Sequence, residues 1–137
     1  MENIAFDIWL SERMQFSSAD KKECFETAKK MVVIAMNVEK NGSSAFEELK
    51  SSNDTFLEIA VKLAVDGFDS ERIRIILQNY IISGNYKGRE LLRRILITES
   101  VMMIVGKYEY QQICEELASY FGEDNFREYM NYCKDLF

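Results

Sequence analysis

At 137 residues, 47% of them apolar and 29% charged, the chain has the size and make-up of one soluble globular domain able to bury a real core. Its 17 basic against 23 acidic side chains leave a net charge of −6, which opposes non-specific attraction to nucleic acid and to anionic lipid. Histidine is absent, so the commonest general base and metal ligand is missing, and with it histidine-based triads and most zinc sites.

Cys24, Cys114 and Cys133 are an odd set without C-x-x-C spacing, each beside apolar residues at helical intervals, and they read as reduced core thiols of a cytoplasmic protein. The longest apolar run, Met31 to Met36, is far short of the ~20 residues that cross a bilayer. Glu2 stands where a cleavable signal would carry lysines, and Asp7 interrupts the apolar run behind it. No proline occurs and the apolar spacing is helical nearly throughout. The expected fold class is therefore all-α: a compact multi-helix bundle of seven to eight helices in a single helical domain, residues 1–137. An N-terminal helix (1–19) would precede a first lobe (20–84) and a second (85–137) that share one core.

In chain order, Asn3 to about Phe16 reads as a first amphipathic helix with Ile4, Phe6, Ile8 and Trp9 inward. Asp20 with Glu23 has the spacing of a capping box, Ser17 and Ser18 offer further caps, and the helix they open is closed by Gly42. Its stripe is Cys24, Ala28, Met31, Ala35 and Val38; Val33 and Ile34 fall off that stripe, which marks this helix as the central one. Ser44 with Glu47 predicts a second capping box and a short helix, Ala45 to Lys50, and Thr55 with Glu58 a third, opening a helix that carries Leu57, Ala60, Val61 and Ala64.

The chain is organised around Leu63 to Ile81, where it turns a corner. Gly67 ends one helix in the left-handed conformation, Asp69 caps the next, and Glu71 lies in the positive first turn. Ile73, Ile76, Leu77, Tyr80 and Ile81 then form one face, expected to be buried. After a loop with Asn85 and Gly88, Arg89 to Val105 is helical up to Gly106, and Tyr108 to Phe121 follows on Ile113, Cys114, Leu117 and Tyr120, closed by Gly122. Asp124 starts the last helix, with Phe126, Tyr129, Met130 and Cys133 inward. Short connections make sequential helices antiparallel neighbours. A weak internal repeat is also visible, in that each lobe has a long apolar helix followed by a shorter amphipathic one.

The chemistry-bearing residues are sparse. Glu47 with Glu48 and Glu115 with Glu116 are adjacent carboxylates, which point about 100° apart on a helix and cannot share a substrate. No phosphate-cradling, calcium-loop or C-x-x-C motif is present, so no catalytic residue, cofactor or metal site is expected. Arg72, Arg74, Lys87, Arg89, Arg93 and Arg94 concentrate positive charge in mid-chain, either as ordinary surface charge with i,i+4 pairing such as Glu90 to Arg94 or as an electrostatic docking face. Leu92, Leu96 and Met103 place Glu99 on an apolar stripe, where a carboxylate needs a partner, so it reads as a structural ion pair or hydrogen bond at the stripe's edge.

Lys40, Gly42, Ala45, Phe46 and Glu47 in VEKNGSSAFE, then Asp66, Gly67, Asp69, Glu71, Ile73, Arg74 and Leu77 in the corner, then Glu99, Ile104, Glu109, Ile113, Glu116, Leu117 and Ser119, fall in the order of three segments of a known family. The chain resembles the cytoplasmic parts of the flagellar motor stator protein MotA, of the MotA/TolQ/ExbB proton-channel family. In that family membrane helices precede and separate these segments; here only Ile82 to Arg94 joins the second and third, so the resemblance does not imply proton conduction. It implies a non-enzymatic protein that binds a flagellar rotor or stator component, or a regulatory protein, through charged helical faces, with Lys40, Glu47 and Glu48 at the positions that meet the rotor protein FliG. Arg72 and Arg74 join them as candidate partner-binding residues on charge, with Asp66, Gly67 and Asp69 as the structural corner. Two other readings stand beside this one: a general helical interaction module, self-associating through an apolar face, and a small-molecule binder between helices using Met102, Met103, Met130 and the tyrosines.

Overall fold

The computed structural model describes residues 13–49 and 53–137, with Asp7 and Leu10, and among these every regular element is helical. The helices are α1 (Ser18–Glu23), α2 (Phe25–Asn41), α3 (Ser44–Glu47), α4 (Thr55–Val65), α5 (Ser70–Gly84), α6 (Gly88–Val105), α7 (Tyr110–Ala118) and α8 (Phe126–Tyr132), with single 3-10 turns at Ser119–Phe121, Glu123–Asn125 and Lys134–Leu136. The all-α bundle is thus the fold. The inward residues expected of a first helix, Ile4, Phe6, Ile8 and Trp9, lie outside the described residues; within that stretch Leu10 and Phe16 pack on the core.

The caps start one or more residues earlier than the capping-box spacing suggests. Ser17 caps α1 by accepting from the Asp20 amide at 3.0 Å, and the helix breaks at Cys24 before α2 begins. Asp54 caps α4 by accepting from the Leu57 amide at 3.2 Å, displacing the expected Thr55. Asp reaches the free amides without the methyl that restricts Thr, which favours it as the cap where both are adjacent. At α3 no side-chain cap forms; the Ser44 hydroxyl instead donates to the Asn41 carbonyl at 2.9 Å.

The central helix is α6, not α2. It contacts α1, α2, α4, α5 and α7, and buries Leu91, Leu92, Ile95, Leu96 and Ile97 by its middle, ten of its eighteen residues being buried in all. Five of the seven positions from Leu91 to Ile97 are buried and the other two, Arg93 and Arg94, partly so, which leaves α6 more enclosed than α2. Its buried hydroxyls are satisfied locally: Thr98 donates to the Arg94 carbonyl at 2.8 Å and Ser100 to the Leu96 carbonyl at 2.6 Å. On α2, Val33 is exposed while Val32 and Ile34 are buried, so this helix keeps a solvent face. Helices α2, α4 and α6 run parallel: Thr27, Asp54, Leu57 and Ile97 meet near one end, and Val38, Ala64 and Ile104 near the other. The buried face of α5 is narrower than expected. Ile73, Leu77 and Ile81 are fully enclosed with Gln78 beside them, Ile76 is half-buried, and Tyr80 is 47% exposed. Phe126 is likewise exposed rather than inward, because the 3-10 turn before α8 rotates its first residue outward while Tyr129 and Cys133 stay buried.

The repeat lies elsewhere than the lobes suggest. Forty residues separate Gly67 from Lys107, and at that offset α4–α5 superposes in pattern on the second half of α6 followed by α7. Leu57/Ile97, Ala60/Ser100, Val61/Val101, Ile73/Ile113, Leu77/Leu117 and Ile81/Phe121 are all buried pairs of equivalents. Both corners close with the same Schellman bonds: Phe68 N–H to Leu63 carbonyl at 3.2 Å with Gly67 N–H to Ala64 carbonyl at 3.2 Å, and Tyr108 N–H to Met103 carbonyl at 2.9 Å with Lys107 N–H to Ile104 carbonyl at 3.0 Å. Each is followed by an acidic N-cap, Asp69 accepting from the Arg72 amide at 2.9 Å and Glu109 in a capping box with Gln112.

The α5–α6 connection is held by one aromatic ring. Tyr86 lies 3.5 Å from the Arg94 guanidinium, and a β-carbon placed on Gly84 would fall 2.1 Å from the ring. Arg94 also pairs with Glu90 at 2.8 Å and has a side chain only 12% exposed.

Candidate functional site

The end of the bundle where α2, α4 and α6 finish holds a cleft of about 500 Å³. Its walls are apolar: Ala35 and Val38 from α2, Phe46 from α3, Ala64 from α4, Ile104 and Val105 from α6. Glu39, Gly42, Ser43, Lys107 and Tyr108 form the rim. Local sequence explains the shape. Gly42 ends α2 at φ 74°, its N–H bonded to the Val38 carbonyl at 2.7 Å, so the chain doubles back at once. Helix α3 then sets Phe46 inward as one wall. Small side chains at Ala35 and Ala64 leave the space open.

The electrostatics of this end are mixed. The carboxyl ends of three parallel helices place partial negative charge here, and Glu39 adds a full one. Lys107 opposes them from the end of α6. It occupies the left-handed region at φ 65°, where the equivalent residue of the first corner is Gly67 at φ 85°. A β-carbon in that region meets the following carbonyl at a cost of ~1–2 kcal/mol. Neither Glu39 nor Lys107 makes an ion pair with a described residue, and both are exposed.

Of the residues singled out by sequence, Lys40 and Glu48 are exposed and do not line the cleft, but they adjoin Glu39 and the α3 wall in the chain. Glu47 is exposed there too and is engaged in an interaction of its own. Arg74 is brought elsewhere: its Nη2 donates to Glu99 Oε2 at 3.3 Å and its Nε lies 3.2 Å from the Met102 sulfur. This answers the expectation that Glu99 needs a partner. Burial pushes the Glu99 carboxyl above its ordinary range, with Arg74 opposing, and burial next to Glu99 raises Tyr120 as well.

The mid-chain basic cluster does not form a free docking face. Arg89 pairs with Glu23 at 2.8 Å, Arg93 with Asp54 and Glu90, and Arg94 with Glu90, so only Arg72 and Lys87 of that set are without an ion pair to a described residue. The Glu90–Arg94 pair is the i,i+4 pairing expected from the spacing, whereas Glu23 and Asp54 lie in distant parts of the chain, where sequence spacing did not reveal them. Asp66 pairs with Lys62 at 2.7 Å beside Gly67. Met103 is core, Met102 and Met130 pack against the core, and none of them lines the cleft. The cysteines are free and buried. Among the described residues, no cluster of three metal-ligating side chains occurs, and no helix is long and apolar enough to cross a membrane.

Lys107 was not among the sequence candidates; Tyr108 was one of the tyrosines of the small-molecule reading, and it does line the cleft. The signal was present in the forty-residue offset, which sets VGKYE against VDGFD and puts a lysine where the corner calls for glycine. Compared with known protein families, curated proteins and solved structures, the chain matches none.

Proposed function

We propose that this chain is a non-catalytic docking protein, of the kind its resemblance to the MotA cytoplasmic domain implies, and that it binds a flagellar-motor or regulatory protein at the bundle end where α2, α4 and α6 finish. The observation that carries this reading is that Lys40 and Glu48, exposed and without an ion pair to a described residue, stand within two residues in the chain of Glu39 and Phe46, which line the apolar cleft. Charges left unspent beside an apolar surface are what an electrostatically steered interface needs, whereas charges already paired within the fold are not. The test uses purified rotor and stator cytoplasmic proteins from the same source, titrated against the full chain. Lys40→Glu and Glu48→Lys should each weaken binding, more so at low salt, with the melting temperature nearly unchanged. If none of those proteins binds the unaltered chain, or if the reversals leave binding intact, the reading fails.

A second reading, self-association, rests on α5. Ile75 and Ile82 are exposed on its outer side, whereas at the forty-residue offset the equivalent of Ile75 is Glu115 on α7 and that of Ile82 is Gly122, beyond the end of α7. An apolar face on one copy of the repeat and a polar one on the other favours a second copy of this chain as its cover. Sedimentation across a hundredfold concentration range decides it: Ile75→Glu, which copies the α7 residue, should keep the chain monomeric at concentrations where the original dimerises.

A further inference from the structure

We propose that the cleft receives one large apolar side chain from the partner, and that Lys107 holds a carboxylate lying next to that side chain on the partner segment. This deepens the docking reading and rests on it. Three observations lead to it. The cleft is open, apolar on its walls and about 500 Å³ in volume, enough for a leucine or phenylalanine side chain together with part of its backbone. Its rim carries Lys107 and Glu39, a cation and an anion that make no ion pair with a described residue. Lastly, Lys107 sits in a left-handed conformation that its own counterpart, Gly67, occupies without strain.

The strain is the informative part. A lysine that served only to complement the α6 dipole would do so from any position of the last turn, with ordinary φ. At φ 65° Lys107 instead lines the cleft from a position where the corner alone favours glycine. Opposite charges on the rim of an apolar pocket are complementary to an apolar anchor flanked by an acid and a base. On the docking reading the occupant is a protein, so the anchor is a side chain on a polypeptide segment rather than a free metabolite.

The probe is an end-blocked helical peptide with an alanine and glutamine background and a single leucine, with glutamate four residues before it and lysine four residues after it. Amide shifts of the isotope-labelled full chain report where it binds. The parent peptide should move the amides of Gly42, Ser43, Lys107 and Tyr108, and replacing its leucine by alanine should abolish the shifts. Replacing its glutamate by glutamine should weaken binding about threefold to the original chain and not at all to Lys107→Gly, a variant whose corner matches Gly67 and should fold at least as well. Shifts elsewhere only, an equal glutamate effect on both chains, or saturation of the same amides by free L-leucine alone would overturn the inference. Against a purified motor partner the two readings separate: if Lys40→Glu abolishes binding and Lys107→Gly leaves it unchanged, docking stands and the anchor cleft falls, whereas if neither matters both fall.

Discussion

Gly67 and Lys107 occupy equivalent corners, and exchanging the side-chain type between them gives opposite effects of predictable size. A β-carbon added to Gly67 has nothing within 4 Å, so Gly67→Ala incurs no packing clash and its whole effect is conformational. The left-handed region costs an alanine ~1–2 kcal/mol, and removing the glycine's extra freedom from the unfolded chain returns ~0.4–1 kcal/mol. The net expectation is a loss of ~1 kcal/mol, or a fall of roughly 3–5 °C in melting temperature for a chain of this size. At Lys107, φ is 65° and the side chain is exposed, so the same two quantities enter with reversed sign. Lys107→Gly should therefore gain ~0.5–1 kcal/mol, less a few tenths for the lost attraction to the end of α6. Urea denaturation of both variants, with m unchanged from the original chain, is the assay. If Lys107→Gly is destabilised as much as Gly67→Ala, the two corners are not equivalent and the strain argument collapses.

Further expectations follow from individual contacts. Asp69→Ala removes the side-chain cap on the Arg72 amide and should cost ~1 kcal/mol, while Asp69→Asn, which keeps an acceptor, should cost far less; thermal melts of the pair separate cap from charge. Arg94→Ala strips a guanidinium that is 12% exposed from both Glu90 and the Tyr86 ring, and should cost ~2–3 kcal/mol by urea denaturation; a loss below ~0.5 kcal/mol would mean that the ring and the pair hold nothing. Burial raises the folded pKa of Glu99 above the ordinary 4.5, so its charge opposes folding at neutral pH, and that penalty is relieved as the pH falls through the folded value. Glu99→Gln should accordingly raise the melting temperature at pH 7 and leave it nearly unchanged at pH 4. A fall at pH 7 would show that the ion pair with Arg74 outweighs desolvation.

Local features of the fold were the most legible in sequence. Gly42, Gly67 and Gly122 stand at helix ends with positive φ, and Asp69 caps α5, because each depends on the chemistry of one or two neighbouring residues. Helix identity and the inward set Cys24, Ala28, Met31 and Ala35 were readable from a period of 3.6. What periodicity could not supply was which helix is surrounded. Helices α2 and α6 both carry apolar residues off the main stripe, and only the packing shows that Val33 faces solvent while α6 has none of its five early apolar residues exposed. Tyr80 and Ile76 fit the α5 stripe yet lie at its margin, since Ile73, Leu77 and Ile81 already fill the contact with α6. The site was half legible. Lys40 and Glu48 were reached through the family resemblance, but the basic residues chosen on charge alone are mostly spent on Glu23, Asp54, Glu90 and Glu99. The Glu90–Arg94 pair was legible at i,i+4, whereas pairing across long sequence separations is a tertiary fact that linear spacing does not encode.

The ring of Tyr86 ties three positions into one unit of sequence change. With the ring in place, no side chain fits at position 84, and the Arg94 guanidinium has an aromatic face to lie against. A chain that lost the aromatic would at once become free to accept alanine or serine at 84, and would lose the reason to keep arginine at 94. Substitutions at these sites should therefore be tolerated in an order: 86 first, then the others, with Gly84→Ala harmful in the present background and harmless after Tyr86→Ala. In diverging copies of this chain, glycine at 84, an aromatic at 86 and arginine at 94 should be inherited or abandoned together.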